Sequence, residues 1–174
     1  ERIKKFEDTD IKIKRSLESG ELDLRCEEWI NRRSISFSRE KLDIVRERVI
    51  TIDAYNASSL EGAFSIRRDK GFYNFDVYVT DVPTFLKDNR DIAKRAYERG
   101  TSISIENYKG KKNIHLDMLP AFLDENYLSL RKDKMRNVID FNFIVKDDGE
   151  IESVYVSRKS LSVTDSLDYN RARE

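Results

Sequence analysis

The 174-residue chain holds one cysteine, Cys26, and one histidine, His115. One cysteine excludes an intramolecular disulfide, and the two residues together cannot build a cysteine- or histidine-rich zinc site. Cys26 recurs at helical spacing with Leu22, Trp29 and Ile30, which marks it as core rather than nucleophile. His115, between Ile114 and Leu116, has no second histidine to work with and reads as structural. The prolines are only Pro83 and Pro120, so no proline-rich linker divides the chain. No apolar run approaches the length of a spanning helix and no secretory h-region is visible, so no membrane partner is expected. Sparse cysteine fits a reducing compartment, and the expected location is cytoplasmic, with an organelle as the alternative. Lys plus Arg is 33 and Asp plus Glu is 33, giving a net charge of zero. That excludes a domain gripping phosphate through an overall positive charge; any nucleic-acid contact must rest on a local basic patch. Phosphate-binding glycine loops, H-E-x-x-H and G-x-S-x-G are also missing.

What is present is one domain's worth of core: 39% hydrophobic and 38% charged residues. Residues 1–48 are charged and partly helical in pattern, an expected N-terminal cap or arm. Val49-Ile50-Thr51-Ile52 reads as a short strand. Gly62 to Arg68 and the alternating Tyr73, Phe75, Val77, Val79 form an expected hairpin around Asp69-Lys70-Gly71. Asp88 to Arg99 carries Ile92, Ala93, Ala96 and Tyr97 on one helical face, with Asp88 as cap and Gly100 as stop. Thr101 to Ile105 is a short strand, Lys109 to Lys112 a basic turn, and Met118-Leu119-Pro120 precedes a helical turn. Ile139, Phe141, Phe143 and Val145 alternate, Asp147-Asp148-Gly149 turns the chain, and Ile151, Val154 and Val156 return with an irregularity near Ser153. Asp165 to Glu174 reads as weakly structured or as the start of a helix. Strands and helices do not alternate regularly, which argues against a doubly wound sheet. The expected fold is mixed α+β: a curled, mostly antiparallel sheet with peripheral helices.

Three acids sit near strand ends: Asp53, Glu61 and Asp81. Hard divalent cations take oxygen ligands, so Asp53 and Glu61, eight residues apart across a loop, are the candidate metal pair. Basic residues cluster at Arg67 and Arg68, at Lys111 and Lys112, and at Arg131 and Arg136, with tyrosines nearby. These six are the candidate contacts for single-stranded RNA, through phosphate pairing and base stacking.

The order of motifs resembles the N-terminal half of the RNB catalytic domain of the ribonuclease II and ribonuclease R family. The family's T-I-D-x-x-x-A-x-D-x-D-D-A is matched by Thr51-Ile52-Asp53 through Ala57 to Ser59-Leu60-Glu61-Gly62-Ala63. Its V-H-I-A-D-V resembles Val77-Tyr78-Val79-Thr80-Asp81-Val82. R-G-T-S appears as Arg99-Gly100-Thr101-Ser102, M-L-P as Met118-Leu119-Pro120, S-L as Ser129-Leu130, and L-T-Y is approximated by Leu167-Asp168-Tyr169. The resemblance implies 3′-to-5′ hydrolysis of single-stranded RNA with magnesium, organised by four aspartates. Those fall on Asp53, Ser59, Glu61 and Gly62: one is kept, one becomes a longer acid and two are lost. Ser104 stands near the family's base-stacking aromatic.

Ser and Gly carry no charge to hold a cation, and about an ångström of misplacement can cost about 100-fold in rate. The expectation is therefore a catalytically degenerate RNB-like domain over 49–174. It would bind RNA, a ribonucleoprotein or another protein, with no cofactor. A magnesium-dependent exoribonuclease or related phosphodiesterase is one alternative; a purely structural subunit, favoured by zero net charge, is the other. The resemblance also implies a domain truncated at Glu174, completed by a dimer partner or by its missing C-terminal half.

Overall fold

A computed structural model describes residues 41–57, 59–105 and 114–173. The chain folds as two compact units, one including Thr84–Leu123 and the other including Arg39–Pro83 and Asp124–Glu174. The helical cap expected over 1–48 lies outside the described residues as far as residue 40, and so does the basic turn at 109–112.

The second unit is built on one seven-stranded sheet. Its strands are β1 (Asp43–Ile44), β2 (Ile50–Asp53), β3 (Gly62–Asp69), β4 (Phe72–Thr80), β7 (Arg136–Lys146), β8 (Ile151–Leu161) and β9 (Asp165–Asp168). They lie side by side in the order β1-β8-β7-β4-β3-β2-β9. Only β1–β8 and β2–β9 run parallel; the other pairs are antiparallel. The expected hairpin is β3–β4, with Phe64 opposite Val77 and Ile66 opposite Phe75. Lys70 and Gly71, at φ of 46° and 87°, make the left-handed turn that the right-handed twist of the flanking strands favours. The irregularity near Ser153 is a bulge: Ile144 faces Ser153 but Val145 faces Ile151, leaving Glu152 as the extra residue.

Alternation gives the sheet two unlike faces. Ala63, Ser65, Asp76, Tyr78, Thr80, Val138 and Asp140 on one face are buried. There Val49, Ala63, Tyr78, Leu130, Val138, Leu161 and Val163 form the core, with Val45 and Leu60 against it. Burying a side chain such as Val138 or Leu161 is worth about 1.5–3 kcal/mol. The other face carries Phe64, Phe75 and Phe143 in tilted ring contact at 6.1 and 6.3 Å, and leaves Ile66, Val79, Val154 and Val156 exposed.

In the first unit the expected helix is interrupted. α1 (Val82–Asp88) starts on Val82-Pro83 and ends at Asp88, and α2 (Arg90–Arg99) begins after Asn89. Asp88 is thus not a cap, and the Asn89 amide donates back to the Phe85 carbonyl at 2.8 Å. Ile92 and Ala96 are buried as expected, whereas Tyr97 is exposed. Gly100 closes α2 at φ 76°, its N–H donating to the Ala96 carbonyl. β5 (Ile103–Ile105) and β6 (Ile114–Leu116) pair antiparallel. A helical turn at Ala121–Leu123 continues as a π-helical stretch, Asp124–Leu128. The C-terminal segment corrects the expectation: Asp165–Asp168 is β9, an edge strand on β2, and Arg171–Arg173 is a 3₁₀ turn. No helix among the described residues is long and apolar enough to cross a membrane.

Candidate functional site

Asp53 ends β2, a short strand held between β3 and β9. Ile50 faces Phe64 on β3, and continuing that register sets Asp53 across from Glu61. On its other side Asp53 faces Asp168 of β9. Topology therefore brings three carboxylates into one row at the end of the sheet, including one, Asp168, that sequence reading did not single out. Its signal lay in the Leu167-Asp168-Tyr169 match, where an acid stands at the middle position.

The row does not converge. Asp168 turns its Oδ1 to the backbone, accepting the N–H groups of Asn170 and Arg171 at 2.9 and 3.0 Å. The Glu61 side chain is exposed. Asp53 Oδ2, Ser59 Oγ and Thr51 Oγ1 are buried with no hydrogen-bond partner among the described residues. Burial raises the Asp53 carboxyl above its ordinary value; the Thr51 hydroxyl offsets part of that rise, although neither atom closes a hydrogen bond. Gly62 contributes no ligand. Among the described residues no three His, Cys, Asp or Glu side chains are grouped to hold a metal ion. Magnesium, as the motif would imply it, wants an octahedral set of oxygens, and two-metal chemistry wants several carboxylates within a few ångströms. The residues present do not fit that requirement.

The scaffold around this strand end is nonetheless firmly built. Fully buried Ser129 accepts the Leu60 N–H on its Oγ at 2.9 Å, and the Leu130 N–H donates to the Leu60 carbonyl at 2.7 Å. Thr80 Oγ1 donates to the Leu128 carbonyl at 2.8 Å. The Ser129-Leu130 pair thus fixes the loop that delivers Glu61. Asp81, 4% exposed, receives Arg158 Nε at 2.8 Å and serves an ion pair.

The basic candidates separate. Arg67 and Arg68 lie at the β3–β4 turn, both exposed; Arg68 pairs with Asp147 at 3.0 Å and sits over the Tyr73 ring at 5.3 Å. Arg131 and Arg136 lie at the other end of the sheet, because Tyr73 faces Val145 while Arg136 starts the same strand. That interval of strand is about 30 Å. Lys111 and Lys112 lie outside the described residues. Arg131 Nε donates to the Glu125 carbonyl at 3.2 Å. Arg136 donates to the carbonyls of Ser129, Met135 and Asn126 at 3.1, 3.0 and 2.6 Å, and burial, then the charge of Arg131, lowers its pKa. Such a guanidinium braces the segment around Ser129. Arg136→Ala is expected to cost about 2 kcal/mol, read as a lower urea midpoint at unchanged slope, and Arg136→Lys is expected to recover little because lysine lacks the fork.

A second polar cluster lies under the sheet. Asp76 accepts from Asn142 Nδ2 at 2.8 Å and from Ser65 Oγ at 3.3 Å, and Ser65 also bonds the Tyr78 hydroxyl at 3.0 Å. Asp140, 1% exposed, holds Lys159 Nζ at 2.7 Å. Burial disfavours the charged form of Lys159, but the hydrogen bond and charge of Asp140, with Asp76 and Glu47, outweigh it and raise its pKa. Burial, chiefly, raises Asp76 as well, and burial raises Tyr78.

A curled sheet with this strand end is the fold of a known class of RNases. The structure of Mycoplasma genitalium RNase R in complex with double-stranded RNA superposes with a TM-score of 0.71 at 18% identity, covering 85% of this chain and 26% of that one. Yeast Ssd1, described as a pseudonuclease, superposes at 0.66 and 16% identity, covering 80% and 17%. The RNB domain profile matches residues 41–174, and the chain belongs to the RNB domain family. Ribonuclease R 1 of Lactococcus lactis is 25% identical over 135 residues, 77% of this chain and 16% of that protein. DIS3-like exonuclease 2 of Schizosaccharomyces pombe is 29% identical over 137 residues, 78% and 14%. The chain therefore spans about one sixth of the length of the relatives it matches.

Proposed function

We propose that this chain is an RNB domain that binds single-stranded RNA without cleaving it. The observation that carries the reading is the strand end at Asp53. The family fold is kept there, and Ser129 still positions the loop, yet Ser59 and Gly62 bring no charge, Glu61 is exposed and Asp168 is occupied by its own backbone. A donor set this sparse supports no resident divalent cation and no activated water. The likeness to RNase R captured on RNA supports nucleic acid as the ligand, and the likeness to a pseudonuclease supports binding without turnover. Exposed Arg67 and Arg68, with Tyr73 beside them, offer phosphate and stacking contacts.

The test is a 5′-labelled single-stranded RNA incubated with the protein and magnesium or manganese. The expected result is a salt-sensitive mobility shift with the label intact. Arg67→Ala with Arg68→Ala is expected to weaken binding and to lower the slope of log affinity against log salt by about 1.4, which is two phosphates at about 0.7 each. Shortening of the RNA that Asp53→Asn abolishes would overturn the reading.

A further inference from the structure

β8 has β7 along one side, but on its other side β1 reaches only Lys159 and Ser160. Among the described residues no strand pairs with the outer side of Ile151–Ser157. The phase of that open side follows from one bond. The Val45 N–H donates to the Ser160 carbonyl at 2.9 Å, so Ser160 directs its backbone groups away from β7. Backbone groups alternate along a strand. Val156 and Val154 therefore direct their N–H and C=O outward, and Tyr155 and Ser157 direct theirs to β7. Val154, Tyr155 and Val156 are 48%, 61% and 62% exposed. No charge and no proline interrupts 153–157, so the usual protections of an edge strand begin only at the Glu152 bulge and at Arg158.

The sequence of this edge is self-complementary. Ser153-Val154-Tyr155-Val156-Ser157 reads the same in both directions. Antiparallel pairing of two copies about Tyr155 sets Val154 against Val156 and Ser153 against Ser157. It also brings the acid at 152 toward the base at 158. The outward groups of Val154 then meet those of Val156 as a hydrogen-bonded pair, and Tyr155 meets its copy as a non-hydrogen-bonded pair, which is the phase the Ser160 bond requires. A register centred one residue either way sets Glu152 against Val156, or Val154 against Arg158. Pairing at Tyr155 also joins the row Phe64, Val77, Phe141, Val156 of one copy to the row Ile66, Phe75, Phe143, Val154 of the other, which makes the exposed apolar faces continuous.

We propose that two copies of this chain pair through β8, antiparallel across a two-fold axis at Tyr155. Such a closed, isologous contact consumes the edge and leaves none for a third copy.

Sedimentation equilibrium of the full chain tests this. The expected mass is twice 20.5 kDa, falling toward 20.5 kDa on dilution. Val156→Pro removes an outward N–H and no β7 bond, so it is expected to give a monomer with an unchanged circular dichroism spectrum. Tyr155→Cys places thiols at the axis, where a non-hydrogen-bonded pair brings Cα atoms within disulfide range. Mild oxidation is expected to yield a covalent dimer, with Glu150→Cys as the control that carries the same native Cys26. A monomer at every concentration, a Val156→Pro protein that still dimerises, or a Tyr155→Cys protein no more cross-linked than the control overturns the proposal.

Discussion

Lys159→Met is expected to lower stability by about 3–5 kcal/mol, because it strands a carboxylate that has left water. Asp140 is 1% exposed, its Oδ1 has no partner among the described residues, and its Oδ2 depends on Lys159 at 2.7 Å and on a 3.4 Å contact from Ser157. For a domain of this length such a loss lowers the melting temperature by roughly 6–20 °C. Asp140→Asn in the same background is expected to restore most of it, since the charge that lacked a partner is then gone. A cost below about 1 kcal/mol would mean that water screens the pair as it does at a surface. The pH dependence has a definite sign. Lys159 has a folded pKa above its unfolded 10.5, so its contribution is complete below that value and disappears as pH rises through the folded one. Asp76 acts in the same direction in a separate window: its folded pKa lies above 3.8, the native state holds the proton more tightly, and stability falls as pH rises through that acid window. Lys159→Met removes the alkaline loss and, because the Lys159 charge holds the Asp76 carboxyl down, steepens the fall through the acid window, a difference that thermal melts across pH resolve.

That cluster also shows where sequence reading stops. Period-two alternation locates β3, β4, β7 and the return strand β8, because a half-buried strand must repeat every second residue. It does not say which set faces inward. The aromatic set, Phe64, Phe75, Phe141 and Phe143, is the more apolar, yet the most buried face carries Ser65, Asp76, Tyr78 and Asp140. Those polar groups are tolerated because most of them close bonds to one another across neighbouring strands, which only the register reveals. β9 was illegible for a related reason. Asp165-Ser166-Leu167-Asp168 has no strand-like composition, and the parallel edge of β2 makes it extended. With β9 missed, Asp168 could not be placed beside Asp53. By contrast, the Asp53 and Glu61 pair was legible as a motif, and the register of β2 on β3 brings the two to one strand end. What the motif could not show is that Glu61 faces solvent and that Asp53 Oδ2 is buried.

Rebuilding the acidic motif is the change with the largest expected gain. Ser59→Asp, Glu61→Asp and Gly62→Asp together are expected to create a magnesium site of the kind the family motif implies. The backbone permits it. A Cβ at Gly62 meets nothing nearer than the Tyr78 carbonyl at 3.9 Å, an ordinary contact, and Gly62 is not among the positions with positive φ. Ser59 Oγ is already buried at the strand end, so an aspartate there brings its charge to the region of Asp53. Without metal, four crowded carboxylates repel and one or more retains its proton, so the triple variant is expected to melt below the natural chain. With magnesium at a hundred times its dissociation constant, binding adds about 2.7 kcal/mol. Over a chain of this length that returns roughly 5–10 °C in melting temperature. The natural chain is expected to shift by less than a degree or so under the same salt, corrected for ionic strength with sodium. The carboxyl raised by burial at Asp53 supplies a second readout. Metal must displace any proton held there, so the magnesium-dependent gain is expected to shrink as the buffer is acidified toward the carboxylate range. A natural chain that gains as much from magnesium as the triple variant would show that Asp53, Glu61 and their neighbours already grip a cation, and the reading of a non-cleaving domain would fall with it.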